Sequence, residues 1–460
     1  MSTPVIQDDQ IAKLTPSLFS TRGWSTATDE DVREQFFRVY KPLRDKGLGE
    51  YHLWRIATAL YFYRPLLSDL LKPTQTKTVL EIGSGWGMKA LSLANLFQNY
   101  IGIELNAEDV ALSNGFLRDV GISNVRIICE KADAVLENPA KHGIERIDLL
   151  ILFAVLEHLT IPERKAILRL AQDVYCQGGH VLIAEAPNRL CRYDHHSWQL
   201  PFTDSLPPDL ASEYSVKSGR EDLKKKLRPP AEDHGFESLY RIGRGISFHE
   251  FECFWDKIPF DSLGLLTDGY SPELLTYYPL MNDEVDLLRY CNDNQLNIPR
   301  LFTRYWIEGL FSRTGSGLGK SAHYLLPQEL EVSTPSIRRR FWERSVKAPP
   351  PAVHHDRRFW NLDDISIPTG CSFMVRAPQA TTAAQQAVLL IDLAQSSGRI
   401  AIEETQSGAR SVIDVTKLMD GRLPMWHWHA AIPLGPSSGV YRLQPEGDGG
   451  KATCRGVLFV

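Results

Sequence analysis

Three glycines at alternate positions, Gly83, Gly85 and Gly87, follow the short apolar run Thr78–Ile82 and precede a helical pattern. Glycine lacks a Cβ, so a ligand can lie against the backbone there and the turn can take positive φ. Glu104 ends the next apolar run, where a carboxylate can accept hydrogen bonds from both hydroxyls of a ribose. These residues suit a nucleoside. A second set suits acid–base work. His158 follows the run Ile147–Phe153, Asp194, His195 and His196 stand together in a proline-broken stretch, and His249 opens the segment HEFE. Imidazole titrates nearest neutrality, and a carboxylate beside it raises its basicity and fixes its tautomer. Glu157, His158, His195 and His196 are also metal-ligand types. No H-x-x-x-H or C-x-x-C spacing accompanies them, so no metal is expected.

The elements that must position these groups alternate in period. A helix is expected at Asn106–Val120, a strand at Val125–Cys129, a buried strand at Ile147–Phe153, a helix at Pro162–Tyr175 and a strand at His180–Glu185. Strands alternating with helices of this length give a parallel sheet covered on both faces. Ahead of them come an irregular arm at 1–27, a helix capped by Thr28, and an aromatic-rich helical region, Glu50–Leu71, broken at Pro65. After them, 187–220 is long and rich in prolines, but its aromatic residues argue for order. A sixth strand is expected within 235–255, a helical insertion at about 257–313, and a seventh strand at 321–327. Residues 343–358 have linker composition, and from Ile365 seven short period-two runs suggest an antiparallel β-sandwich.

A dinucleotide fingerprint would need a third glycine at position 88, which is Met88. The pattern Glu81-x-Gly83-x-Gly85-x-Gly87 instead resembles the first motif of class I S-adenosylmethionine (SAM)-dependent methyltransferases. With Glu104, Asp133, the LEH after the fourth strand and the strand led by Gly178-Gly179, the resemblance covers residues 76–188. It implies a Rossmann-like α/β fold, a doubly wound seven-stranded sheet whose last strand is antiparallel. It also implies SAM as cofactor, held by Glu81, Gly83, Gly85, Gly87, Glu104, Leu105, Asp133, Ala134 and Phe153, with Asp133 meeting the adenine amine. The leading expectation is methyl transfer to a hydroxyl, with proton transfer assisted from among His158, Asp194, His195, His196 and His249. N-methylation of a small metabolite or peptide, or a SAM-binding scaffold acting through the β domain, are the alternatives.

The 460 residues divide, on this reading, into an N-terminal arm and helical cap (1–75), a methyltransferase domain (76–330), a linker (331–360) and the β-sandwich (361–460). A net charge of −5 leaves no global basic field for nucleic acid. Seven cysteines without C-x-x-C spacing fit the reduced thiols of a cytoplasmic protein. The N-terminus lacks the features of a signal peptide, and no apolar run is long enough to span a bilayer. Trp426 and Trp428 alternate on one strand face, suited to sugar stacking or to a sandwich core. The run NRLxxYDxHxxxLPF at 188–202 resembles that of bacterial methyltransferases associated with surface polysaccharides. That implies a glycan acceptor, with a small metabolite second.

Overall fold

The structure is a computed structural model. It describes residues 55, 59, 63–71, 76–119, 121–229, 231–255, 263–264, 284, 287, 290–291, 294–296, 298–312, 323–325, 331–333, 365–368, 372–376, 386–392, 396–415, 429–436 and 438–459. The arm at 1–27, the helix expected after Thr28, much of the insertion, all of the expected linker after 333, and Trp426 and Trp428 lie outside the described residues. The chain divides into two compact units, the first holding the described residues up to 264 and those from 287 to 312, the second chiefly those from 323 onward.

In the first unit, β1 (Thr78–Ile82), β2 (Asn99–Glu104), β3 (Val125–Cys129), β4 (Leu149–Phe153) and β5 (His180–Pro187) run parallel. The two-residue β6 (Leu263–Gly264) forms the edge, and β7 (Trp306–Phe311) lies between it and β5, antiparallel to both. The order is β3-β2-β1-β4-β5-β7-β6. Both β4 and β5 are buried throughout, as a parallel sheet covered on both faces requires. Helices α1 (Arg64–Leu70), α2 (Met88–Leu93), α3 (Ala107–Asp119), α4 (Ala132–Glu137) and α5 (Ile161–Cys176) belong to this unit. Most of 50–62, ahead of Pro65, lies outside the described residues. Pro65 itself sits in the first turn of α1, where the missing N–H costs no hydrogen bond. Helix α5 begins with a reciprocal capping box between Thr160 and Glu163.

Three expectations are corrected. Residues 235–255 hold no strand: they form α8 (Glu237–Ile242) and α9 (Phe248–Phe254), after α6 (Pro208–Ser215) and α7 (Glu221–Lys224). The seventh-strand role falls to Trp306–Phe311, inside the expected insertion, while His323–Leu325 (β8) pairs with the last strand of the second unit. The boundary expected near 330 therefore lies before 323. Trp306–Phe311 is buried on both faces, so it lacks the alternation that marks a strand. The third concerns the two final runs, which are one strand, β16 (Val440–Phe459).

The stretch 187–220 is ordered around a small core of its own, in which Trp198 and Ala211 pack with Leu223, Leu239 and Ile242. The second unit is an antiparallel sheet. Strand β16 pairs with β8, β10 (Ile365–Pro368), β11 (Ser372–Arg376), β12 (Gln386–Asp392) and β13 (Ser397–Glu404). Strand β9 (Glu331–Ser333) joins β11, β14 (Arg410–Asp414) joins β13, and β15 (His429–Pro436) joins β12.

Candidate functional site

The glycine turn links β1 to α2. Gly83 has φ +73°, and a Cβ there would stand 2.6 Å from Val155 Cγ2. Gly85 has φ +51°, with nothing within 4 Å of where a Cβ would stand. Its backbone is thus open to a ligand, and its N–H donates to Glu104 Oε2 at 2.8 Å. Glu104 Oε1 accepts the N–H groups of Leu105 (2.7 Å) and Asn106 (3.0 Å). These contacts fix the carboxylate at the end of β2 and leave lone pairs to accept further hydrogen bonds.

Beside it lies a cleft of about 260 Å³, lined by Gly83, Glu104, Leu105, Asp133, Ala154, Val155, His158 and Arg241 among others. Leu105 is 52% exposed, an apolar surface beside two carboxylates. Asp133 stands in the first turn of α4, after the N-cap Lys131, and its Oδ1 accepts the Ala134 N–H at 2.9 Å. Ala154, just past β4, has φ +48°, and Glu185 in β5 has φ +52° at a register shift against β7. Left-handed backbone at non-glycine residues concentrates at functional sites.

Of the expected cofactor residues, Gly83, Glu104, Leu105 and Asp133 line this cleft, while Glu81, Gly85, Gly87, Ala134 and Phe153 are not among its lining residues. Glu81 is buried, accepts the Tyr100 hydroxyl at 2.8 Å and is pushed up to about 7 by burial, against the pull of Lys89. Phe153 carries the Lys89 ammonium over its ring at 3.5 Å and the Tyr63 ring edge-on at 5.4 Å.

The histidines also separate. Asp194 does not orient an imidazole. Its carboxylate accepts the backbone N–H groups of His196 (2.9 Å), Ser197 (2.8 Å) and Trp198 (2.6 Å), an Asx-type cap on the turn. Tyr305 Oη accepts the N–H groups of both His195 and His196 at 2.8 Å. The His195 ring packs between Tyr193 and Tyr305. His249 stacks on Phe248 and lines a different groove with Arg189, Ser247 and Cys253. Only His158 and His196 meet, with ring centroids 5.3 Å apart.

What brings them together is Glu157. Its Oε1 lies 3.7 Å from Nε2 of each ring. The residue is fully buried, and burial raises its pKa. Burial likewise lowers the pKa of His196, so its ring is neutral. The Glu157 carbonyl accepts Arg164 Nη2 (3.2 Å) and the Arg244 N–H (2.8 Å). Buried Arg164 also donates to the carbonyls of Leu159, Arg244 and Gly245 and to Glu250. One guanidinium thus ties the turn after β4 to the segment between α8 and α9. Glu157 was legible only as a ligand type. Its nearness to His196 depends on the turn that Asp194 and Tyr305 hold.

Residues 79–179 match the model of the family described as a methyltransferase domain. With the glycine turn and the sheet order, that segment is a class I, Rossmann-like SAM-dependent methyltransferase domain, and SAM is its cofactor. Among curated proteins, the tRNA (guanine-N(7)-)-methyltransferase of Yersinia pseudotuberculosis is 36% identical over 87 residues, 18% of this chain and 36% of that protein. The Aeromonas hydrophila protein of the same name is 32% identical over 102 residues, 22% of this chain and 42% of that one. The chain thus spans well under half the length of these relatives. Among solved structures, a SAM-dependent methyltransferase from Clostridium acetobutylicum is 14% identical at a TM-score of 0.24, covering 34% of this chain and 57% of that one.

The residues present fit SAM. Gly85 offers open backbone, Glu104 a fixed ribose acceptor, and Leu105 and Asp133 an apolar face and a carboxylate for the adenine.

Proposed function

We propose that the chain is a SAM-dependent methyltransferase acting on a hydroxyl of a glycan or small-molecule acceptor, with histidine-assisted removal of the proton. One observation carries the reading: the wall of the cofactor cleft bears His158, and His158 and His196 flank the buried Glu157. Bound in the cleft, SAM supplies a methyl group already activated on a sulfonium. The chain's own residues hold the nucleoside, exclude water and take the acceptor's proton. His158 and His196 serve that last task, since each presents Nε2 toward Glu157, whose carboxylate stabilises an imidazolium as it forms. The acceptor oxygen then forms the O–CH3 bond as the S–CH3 bond breaks. Asp194, His195 and His249 are left with packing and capping roles.

We read the second unit as an accessory β-sandwich. A second reading comes from the curated relatives, whose printed activity is N7-methylation of guanine in tRNA. Guanine N7 carries a lone pair and needs no base, and the net charge of −5 offers RNA no general attraction. The test is to incubate the chain with methyl-labelled SAM and fractionated cell extract. Label in a glycan or small-molecule fraction, lost in His196→Ala while SAM still binds, is the expected result. Label in RNA, undiminished in that variant, would overturn it.

A further inference from the structure

We propose that Glu157, His158 and His196 bind one divalent transition-metal ion at the wall of the cleft. Glu157 Oε1 lies 3.7 Å from Nε2 of each ring, and the three donor atoms fall within 4.8 Å of one another. The hydrogen bonds around the two rings fix their tautomers. His158 Nδ1 lies 3.1 Å from the Arg241 carbonyl, which can only accept, so that nitrogen carries the hydrogen. His196 Nδ1 lies 2.8 Å from Ser197 Oγ, whose own hydrogen goes to the Gly243 carbonyl at 3.1 Å, so this nitrogen donates as well. Both Nε2 atoms therefore present lone pairs to a carboxylate. Three potential electron-pair donors thus converge within 4.8 Å, a set that a bound cation can join.

The carboxylate is the second observation. Glu157 is fully buried, yet neither of its oxygens accepts a hydrogen bond from another described residue. An ionised group taken from water without a partner is among the costliest things a protein can bury. Nearby cations are engaged: Arg55 forms an ion pair with Glu185, and Arg164 is spent on Glu250 and four carbonyls.

Two imidazoles and one carboxylate suit Zn²⁺, Mn²⁺, Fe²⁺ or Co²⁺ rather than the all-oxygen preference of Mg²⁺ and Ca²⁺. Ligand bonds of about 2.0–2.2 Å set neighbouring donors roughly 3–3.5 Å apart, so only a small closure is needed. The Arg241 carbonyl and Ser197 already supply the outer hydrogen bonds that orient metal-binding histidines. Three protein ligands leave coordination positions open, and one of the three, His158, also lines the cleft, so an acceptor oxygen could complete the set. This role in acceptor binding rests on the proposed methyltransferase reading; ion binding does not. Ion binding and proton uptake are alternatives at the same Nε2 atoms. With the ion bound the rings would be ligands, the ion would lower the pKa of the hydroxyl it holds, and the proton would pass to solvent rather than to a ring.

The test titrates the metal-stripped 460-residue chain with Co²⁺, read by visible absorption and calorimetry, with Mg²⁺ as control and SAM binding measured in parallel. Wild type should take up one Co²⁺ that Mg²⁺ does not displace. Glu157→Gln and His196→Asn should each weaken it by tenfold or more with SAM affinity unchanged. Ser197→Ala keeps every ligand but releases the His196 tautomer, and should weaken it by about tenfold; it decides the matter if either ligand variant fails to fold by circular dichroism. Equal Co²⁺ affinity in wild type and all folded variants, as scattered cysteines and histidines would give, overturns the proposal. A Co²⁺ difference that persists in a chain unable to bind SAM supports the metal site and removes the methyltransferase reading instead.

Discussion

Glu157 and Glu308 are both buried carboxylates of the first unit, and they are partnered in opposite ways. Glu308, on β7, accepts the Tyr63 hydroxyl at 2.6 Å and the Glu185 N–H at 2.6 Å. Its side chain joins α1 to the bulged end of β5. Glu157 is held through its main chain, where the carbonyl accepts Arg164 and Arg244, while its carboxylate bonds to no other described side chain. A buried acid whose oxygens are filled by the protein serves the fold. One whose backbone is filled and whose oxygens are not is positioned for something the fold does not supply.

The largest effect expected is that of Arg164→Ala. It would take the nearer of two charge partners from buried Glu250, leaving Arg189 at 3.8 Å, and leave four carbonyls short of a donor, for a loss of about 3–5 kcal/mol in chemical denaturation. A loss under about 1 kcal/mol would mean that Glu157 is positioned by something other than this guanidinium. Next comes Glu308→Ala, which leaves the Tyr63 hydroxyl and the Glu185 N–H without an acceptor and should cost about 2–4 kcal/mol.

Glu308 also sets a pH dependence. Burial pushes its pKa up from 4.5 to about 8, so between those values the unfolded chain has lost a proton that the folded chain keeps. Stability contributed by this group is complete below pH 4.5, falls as pH rises, and is gone above about 8. Glu308→Gln keeps an acceptor for the Glu185 N–H and cannot ionise. Its stability relative to wild type should therefore climb across that window and then level off. A flat difference curve would show that Glu308 ionises in the folded chain as it does in the unfolded one.

The same contrast governs what could be read from the sequence. The glycines, Glu104 and Asp133 were legible as candidates because each stands at or just past the carboxyl end of its own strand, β1, β2 and β3, where spacing and position are nearly the same thing. Parallel strands β1 to β5 were legible from their apolar runs. Trp306–Phe311 was not, because a strand buried on both faces and flanked by aromatics shows no period of two. Within 235–255 a strand was expected, but Glu237–Ile242 is a helix of six residues, too short for a helical period to show in the sequence. Asp194 beside two histidines read as a base with its orienting acid. Instead its carboxylate turned inward to cap the backbone, sending adjacent rings in different directions. Glu157 and His196 come from different segments, and only tertiary structure pairs them.

The smallest effect sharpens the comparison most. Glu157→Gln, in metal-stripped protein, should change stability by no more than about 0.5 kcal/mol, or raise it. The amide fills the same volume, the backbone contacts to Arg164 and Arg244 are untouched, and a buried carboxylate with no hydrogen-bond partner is replaced by a neutral group whose N–H can donate to a ring Nε2. The measurement is denaturant midpoint and slope beside Glu308→Ala under the same conditions. Similar losses in the two variants would make Glu157 a second structural acid, and the convergence of His158 and His196 on it a matter of packing. A neutral Glu157→Gln beside a costly Glu308→Ala would leave function as the reason for burying that carboxylate.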